Sequence, residues 1–147
     1  MTQFDDATAV EPAGSGSYEA KLDATWSVGD KLHGGYLMAV VLRAVVDDSP
    51  FEHPVSTSAQ FLKAPVPGPA TVHVERVKTG KTAAFTRATL VQDGTPQIQT
   101  LVTTATLSDA EPVYSDGPAH PMPPLEECLK LPNPKPESNM NMNAQVE

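Results

Sequence analysis

The segment from His33 to Ala44, "HGGYLMAVVLRA", restricts the fold of this chain more than any other. Every residue from Tyr36 to Leu42 is apolar, and the first charge is Arg43. Apolar residues occupy every helical phase, so no polar face is left to meet water. A helix that is hydrophobic all round must be enclosed by other structure. A buried strand would share this pattern, but the length selects a helix, expected from Gly35 to about Val46. "DDSP" ends it, because Pro50 cannot continue a helix and biases the residue before it away from helical geometry.

The material available to enclose that helix is extended. In "SYEAKLDATW", Ser17–Trp26, the residues Tyr18, Ala20, Leu22, Ala24 and Trp26 share one side, and Glu19, Lys21, Asp23 and Thr25 the other. That alternation predicts a half-buried strand. "SVGD" then turns the chain through Gly29 and Asp30. Four more extended segments follow the helix. They are His53–Val66, then Pro69–Thr79 with Val72 and Val74 opposite His73 and Glu75, then Lys81–Gln92 with Phe85, Thr89 and Val91 on one side, then Thr95–Ser108. The short breaks "TGK" and "QDGTP" predict antiparallel hairpins between the last three. Residues 1–16 are polar and read as a flexible lead-in.

Beyond Asp109 the composition changes. Eight of the 15 prolines lie between Pro112 and Pro136, a density that sheet ladders do not tolerate. Residues 110–140 therefore read as a proline-rich linker. The net charge of −8 argues against a nucleic-acid partner, since an acidic surface repels phosphate backbones. Cys128 is the single cysteine, so no internal disulfide can form. The acidic N-terminal stretch lacks the pattern of a secretory signal, and the apolar run is far short of the roughly 20 residues that span a bilayer. A cytoplasmic location without membrane contact is expected.

One helix needing burial and five strands needing an inner face have a common solution, a curved antiparallel sheet wrapped around the helix. This is the α+β hotdog fold, expected here with five to six strands over residues 17–109. Such units pair, because one sheet leaves a strand edge open. The ordered series "HGGYLMAVVLRA", then Phe61-Leu62-Lys63-Ala64-Pro65, then the hairpin from Val74 to Lys81, resembles the N-terminal half of acyl-CoA thioesterases of the thioesterase II type. Those proteins are double hotdogs. The resemblance covers roughly residues 17–108. It implies that 110–140 is an interdomain linker and that "NMNAQVE", 141–147, is the start of a truncated second hotdog, with a disordered C-terminal tail as the alternative. It also implies pairing with that second half or with a second copy as a dimer.

The chemistry implied is hydrolysis of acyl-CoA to a free fatty acid and coenzyme A, within fatty acid metabolism. Thioester hydrolysis needs a base for water and donors for the developing oxyanion. A helix N-terminus offers free N–H groups, and glycine lets a carbonyl approach closely. His33, Gly34 and Gly35 are thus oxyanion or orienting candidates, with Asp30 as a carboxylate partner for His33. Tyr36, Gln60 and Phe61 are candidate substrate-binding residues, and Lys63, Arg76, Lys78 and Lys81 can meet coenzyme A phosphates. Hotdog thioesterases with a similar His-Gly-Gly entrance carry an acid nine residues beyond the His, which is Leu42 here. No carboxylate follows before Asp47, so no complete catalytic set is legible, and the resemblance puts the catalytic residues in the second hotdog.

His33, His53, His73 and His120 show no metal-ligand spacing, and neither a metal nor a cofactor is expected. No G-x-S-x-G elbow, G-x-G-x-x-G or P-loop occurs. The alternative function is a catalytically silent structural or dimerisation module. A hotdog dehydratase would need a His–carboxylate pair that His33 with Asp30 serves poorly.

Overall fold

The computed structural model describes residues 2–111, 113–117 and 122–129. The proline-rich segment is thus covered in part, while His120 and the expected second-unit start at 141–147 lie outside the described residues. In chain order the elements are α1 (Gln3–Ala7), β1 (Val10–Gly14), β2 (Ser17–Leu22), a 3-10 turn (Ala24–Trp26), β3 (Ser27–Val28), β4 (Lys31–Leu32), α2 (Gly34–Asp48), β5 (His53–Phe61), β6 (Gly68–Thr79), β7 (Ala83–Gln92) and β8 (Thr95–Ala105). Six strands form one antiparallel sheet in the order β1-β2-β6-β7-β8-β5, and β3 pairs only with β4. The sheet carries α2 on its inner face, which is the hotdog arrangement expected from the sequence.

The core follows from two periodicities meeting. On α2, Tyr36, Leu37, Val40, Val41, Ala44 and Val45 are buried. On the sheet, alternate residues of β6 to β8 face them, among them Val72, Leu90, Ile98 and Val102, each fully buried. Burying each such side chain contributes roughly 1.5–3 kcal/mol before the entropy of ordering it is subtracted. The β7–β8 hairpin turns through Asp93 and Gly94, both at positive φ. A two-residue turn of that hand matches the twist of the strands it joins, and glycine takes the conformation without a Cβ clash.

Three expectations change. The strand beginning at Ser17 stops at Leu22, because the Asp23 carboxylate caps the next turn, accepting bonds from the Thr25 N–H (2.8 Å) and Thr25 hydroxyl (2.9 Å). Trp26 is still in the core, but from a 3-10 turn. Residues 1–16 are not a bare lead-in: α1 carries a Thr2–Asp5 capping box, and β1 adds an edge strand to β2. The side of β7 holding Phe85, Thr89 and Val91 is the outer one, with Phe85 exposed, while Ala84, Ala88 and Leu90 face the core.

The helix, too, is less enclosed than its sequence demands. Ala39, Leu42 and Val46 are only half-buried, and Arg43 is exposed beside them. They form one stripe on the side of α2 turned away from the sheet. The helix runs to Asp48, where Arg76 on β6 binds the Asp48 carboxylate at 2.7 Å and also its main-chain carbonyl.

Candidate functional site

The sheet register fixes which residues reach each end of α2. Phe61, Ile98 and Leu90 are register partners at the helix N-terminal end, and His53, Ala105 and Ala83 at the other. The seven steps along the strand from Ile98 to Ala105 separate the ends by about 23 Å at strand rise.

At the N-terminal end, His33 is the N-cap. Its N–H donates to the Trp26 carbonyl at 2.9 Å, and its Nδ1 accepts from the Gly35 N–H at 3.1 Å. The His33 carbonyl accepts the first helical bond, from Leu37 (3.1 Å). With Nδ1 an acceptor, the neutral ring holds its proton on Nε2. A helix start leaves several N–H groups without helical partners. Here Gly35 is satisfied by His33, while the Gly34 and Tyr36 N–H groups have no bond among the described residues.

Beside Gly34 lies a cleft of about 310 Å³, lined by Lys31, Leu32, Gly34, Leu37 and Phe61 and by the run from Leu62 to Pro65. Its wall is held by one carbonyl and one side chain. The Gln97 carbonyl accepts from both Leu62 (2.8 Å) and Lys63 (3.2 Å). The Gln92 amide accepts from the Val66 N–H (2.9 Å) and donates to the Val66 (2.9 Å) and Pro69 (3.1 Å) carbonyls. A proline-rich stretch has few donors of its own, so this amide replaces a strand ladder. The Phe61 ring lies over Gly34, where an added Cβ would meet two ring carbons at 3.5 Å. Gly35 is tighter still, since a Cβ there would come within 3.0 Å of the His33 ring.

Several expected site residues sit elsewhere. Tyr36 does not face the cleft. Its ring is 2% exposed and stacks on Trp26 at 5.7 Å, and its hydroxyl accepts from the Asp23 N–H and donates to the Ala7 carbonyl, both at 2.9 Å. Burial raises its phenol pKa above the usual value. Gln60 alternates with Phe61 and so points to the opposite face of β5, near Ser58 at 3.5 Å. Asp30 is exposed in the β3–β4 turn and forms no hydrogen bond with His33, whose ring is oriented by its own helix. Arg76 is spent on Asp48, and Lys78 and Lys81 lie at the far end of the sheet. Of the proposed cations only Lys63 lines the cleft. Lys31, which the sequence reading did not single out, lies there as well.

Chemically, the entrance gathers donors without a base. It offers two backbone N–H groups, the imidazole Nε2–H and the positive end of a 15-residue helix. Among the described residues no carboxylate lines the cleft. The first acids on α2, Asp47 and Asp48, are about 20 Å away at 1.5 Å rise per residue. Among the described residues no cluster of three or more His, Cys, Asp or Glu is arranged to hold a metal. No described helix is long and apolar enough to cross a membrane.

A sequence profile of the acyl-CoA thioesterase N-terminal domain matches residues 22–108. An uncharacterized protein of Mycobacterium tuberculosis is 30% identical over 92 residues, which cover 58% of this chain and 32% of that protein. Among solved structures, a Thermobifida fusca protein assigned to thioesterase II superposes with a TM-score of 0.85 at 35% identity, covering 90% of this chain and 50% of the other. A protein of unknown function with a hot dog fold from Alicyclobacillus acidocaldarius gives a TM-score of 0.79 at 21% identity, covering 95% of this chain and 53% of the other. The chain therefore spans about half the length of these structures and about a third of the curated relative.

Proposed function

The chain belongs to the acyl-CoA thioesterase N-terminal domain family, and from that premise we propose that it serves the hydrolysis of acyl-CoA to a free fatty acid and coenzyme A, as the N-terminal hotdog unit of a two-unit thioesterase. The observation that carries the reading is the entrance of α2, with the Gly34 amide, which has no partner among the described residues, beside a cleft flanked by Lys31 and Lys63. The thioester carbonyl sits against that amide, which stabilises the charge that develops on its oxygen as water attacks. The lysines meet the anionic end of the coenzyme. His33 acts as a donor through Nε2 and not as the base, because its Nδ1 lone pair is already occupied.

The base comes from the unit that pairs with this one. In support, β5 is an edge strand, and Val55 and Phe61 on it are exposed. An apolar edge of that kind needs a partner strand. The test is a free-thiol release assay with acyl-CoA substrates of increasing length, run on the longer two-unit protein. Release above buffer that falls at least tenfold when Lys31 and Lys63 are both changed to Glu is expected. No release at any chain length overturns the reading.

The absence of a carboxylate at the entrance favours a second reading for this piece by itself, that of a silent module completing the fold of its partner. The folded 147-residue chain then shows no turnover alone. Turnover near that of the two-unit protein refutes it.

A further inference from the structure

The connection from β5 to β6, Leu62 to Pro67, has to cross the ends of β8 and β7, because those two strands lie between β5 and β6 in the sheet. Three strand spacings are about 14 Å, which six residues bridge in a largely extended form. The crossing segment, "LKAPVP", forms no ladder of its own. Its two prolines carry no N–H, which leaves four backbone donors. Three of these go to two glutamines at the turn end of the β7–β8 hairpin. Leu62 and Lys63 donate to the Gln97 carbonyl, and Val66 donates to Oε1 of Gln92. Gln97 is the extra residue of a bulge: Leu90 pairs with Ile98 and Val91 with Pro96, so Gln97 has no register partner on β7.

Gln92 holds the other end of the segment. It is 8% exposed, and Nε2 donates to both the Val66 and Pro69 carbonyls. An amide with its oxygen and both N–H bonds engaged is fixed in one orientation. Lys63 therefore stands on a stretch clamped on both sides, in the same cleft wall as Lys31.

We infer that Gln92 is a positioning residue for an anionic ligand of the cleft: it fixes Lys63 through Val66 without touching the ligand itself. This rests on the reading above in which Lys63 meets the anionic end of coenzyme A. A side chain without polar atoms at position 92 leaves the Val66 N–H and two carbonyls unpartnered and frees the segment from Ala64 to Pro67. The ligand then has to order Lys63 on binding, and that cost lowers affinity.

The test is calorimetric titration of the full chain with coenzyme A. Gln92→Met should weaken binding by roughly tenfold in the parent, yet by less than about twofold in a Lys63→Ala background, since a residue that acts through Lys63 has nothing to position there. Equal losses in both backgrounds make Gln92 merely structural and overturn the inference, as does the absence of coenzyme A binding by the parent chain. Hydrogen exchange on the parent covers the case in which Gln92→Met fails to fold. The Val66 amide should be protected in the free chain and gain little when coenzyme A binds. Protection that arises only on binding overturns the inference. In the two-unit protein, Gln92→Met should raise KM for acyl-CoA and leave kcat within about twofold. Free-thiol release whose KM the variant does not move overturns the inference and leaves the thioesterase reading standing. The expected binding pattern with no release at all rejects the thioesterase reading and leaves the role of Gln92 standing.

Discussion

Replacing Tyr36 by Phe isolates what one hydroxyl does for this fold. The ring stays, and with it the stacking on Trp26 and almost all the buried area. What is lost is the oxygen that links three separated segments: it accepts from Asp23 before the helix and donates to Ala7 at the end of α1. Each bond contributes about 0.5–1.5 kcal/mol net, and a backbone group left unpaired in a buried place costs about 1–3 kcal/mol. The Asp23 and Ala7 groups are part-buried, so water can reach them once the N-terminal segment loosens. A total of about 2 kcal/mol follows. For a domain of this size that corresponds to a drop in Tm of roughly 8–16 °C. Differential scanning calorimetry measures the shift, and urea melts followed at Trp26, the one tryptophan, test whether the m-value stays constant as unaltered burial requires. Emission from Trp26 should change at the same time, because Phe4 rests on its indole. A Tm within about 3 °C of the parent, with unchanged emission, would refute the claim that this hydroxyl holds the N-terminal segment to the core.

Further outcomes follow from the same contacts. Asp5 has its pKa lowered to about 2, first by the Thr2 backbone bond, then by the Thr2 hydroxyl and Arg43. A depressed carboxylate pKa stabilises above the unfolded value near 4, and that contribution is lost as pH falls toward 2. An acid titration of Trp26 fluorescence should show the N-terminal segment loosening in that window, and Asp5→Asn should loosen it already at pH 7. Tyr18 is pushed up to about 12, by burial first and by Asp47 second. A raised phenol pKa stabilises below the unfolded value near 10, so melts at rising pH should lose stability between about 10 and 12, with less loss in Tyr18→Phe. Gly34→Ala should fold like the parent, since the new methyl makes ordinary contact with Phe61, yet lower thioester turnover tenfold or more in the two-unit protein. Gly35→Ala should displace the His33 ring and cost about 1 kcal/mol through the lost cap, read as a lower midpoint in a urea melt.

What the sequence disclosed, and what it hid, divides along physical lines. The buried helix, the four long strands and their hairpins rest on local pattern: apolar residues at every helical phase, alternation in the strands, and glycine where a turn needs positive φ. Local pattern cannot say which neighbour a side chain meets. Gln60 and Phe61 are adjacent in sequence and looked alike as candidates, yet one residue of strand period sends them to opposite faces. Tyr36 opens the helix and looked like a substrate contact, but its hydroxyl is taken by Ala7, 29 residues earlier. Lys78 and Lys81 were placed by composition, and only the register of β6 against β7 shows that they stand at the wrong end of the helix. The N-terminal segment is the least legible part of the sequence. Its polar surface is what an amphipathic strap shows to water, and the tie that reveals its inner side, Asp5 to Arg43, spans 38 residues.

Leu42 stands where the resemblance to hotdog thioesterases with a His-Gly-Gly entrance implies an acid. In the fold, Leu42 lies on the stripe that the sheet does not cover, between Ala39 and Val46 and opposite Phe4 and Val10. A carboxylate there would be desolvated among apolar neighbours with Asp5 and Asp47 lining the same cavity, and both effects oppose its ionisation. A leucine at the same place adds to the apolar lining without a desolvation cost. Introducing Leu42→Asp should therefore not create an active site here. It should lower the midpoint of a urea melt and leave turnover by the chain alone at the buffer level.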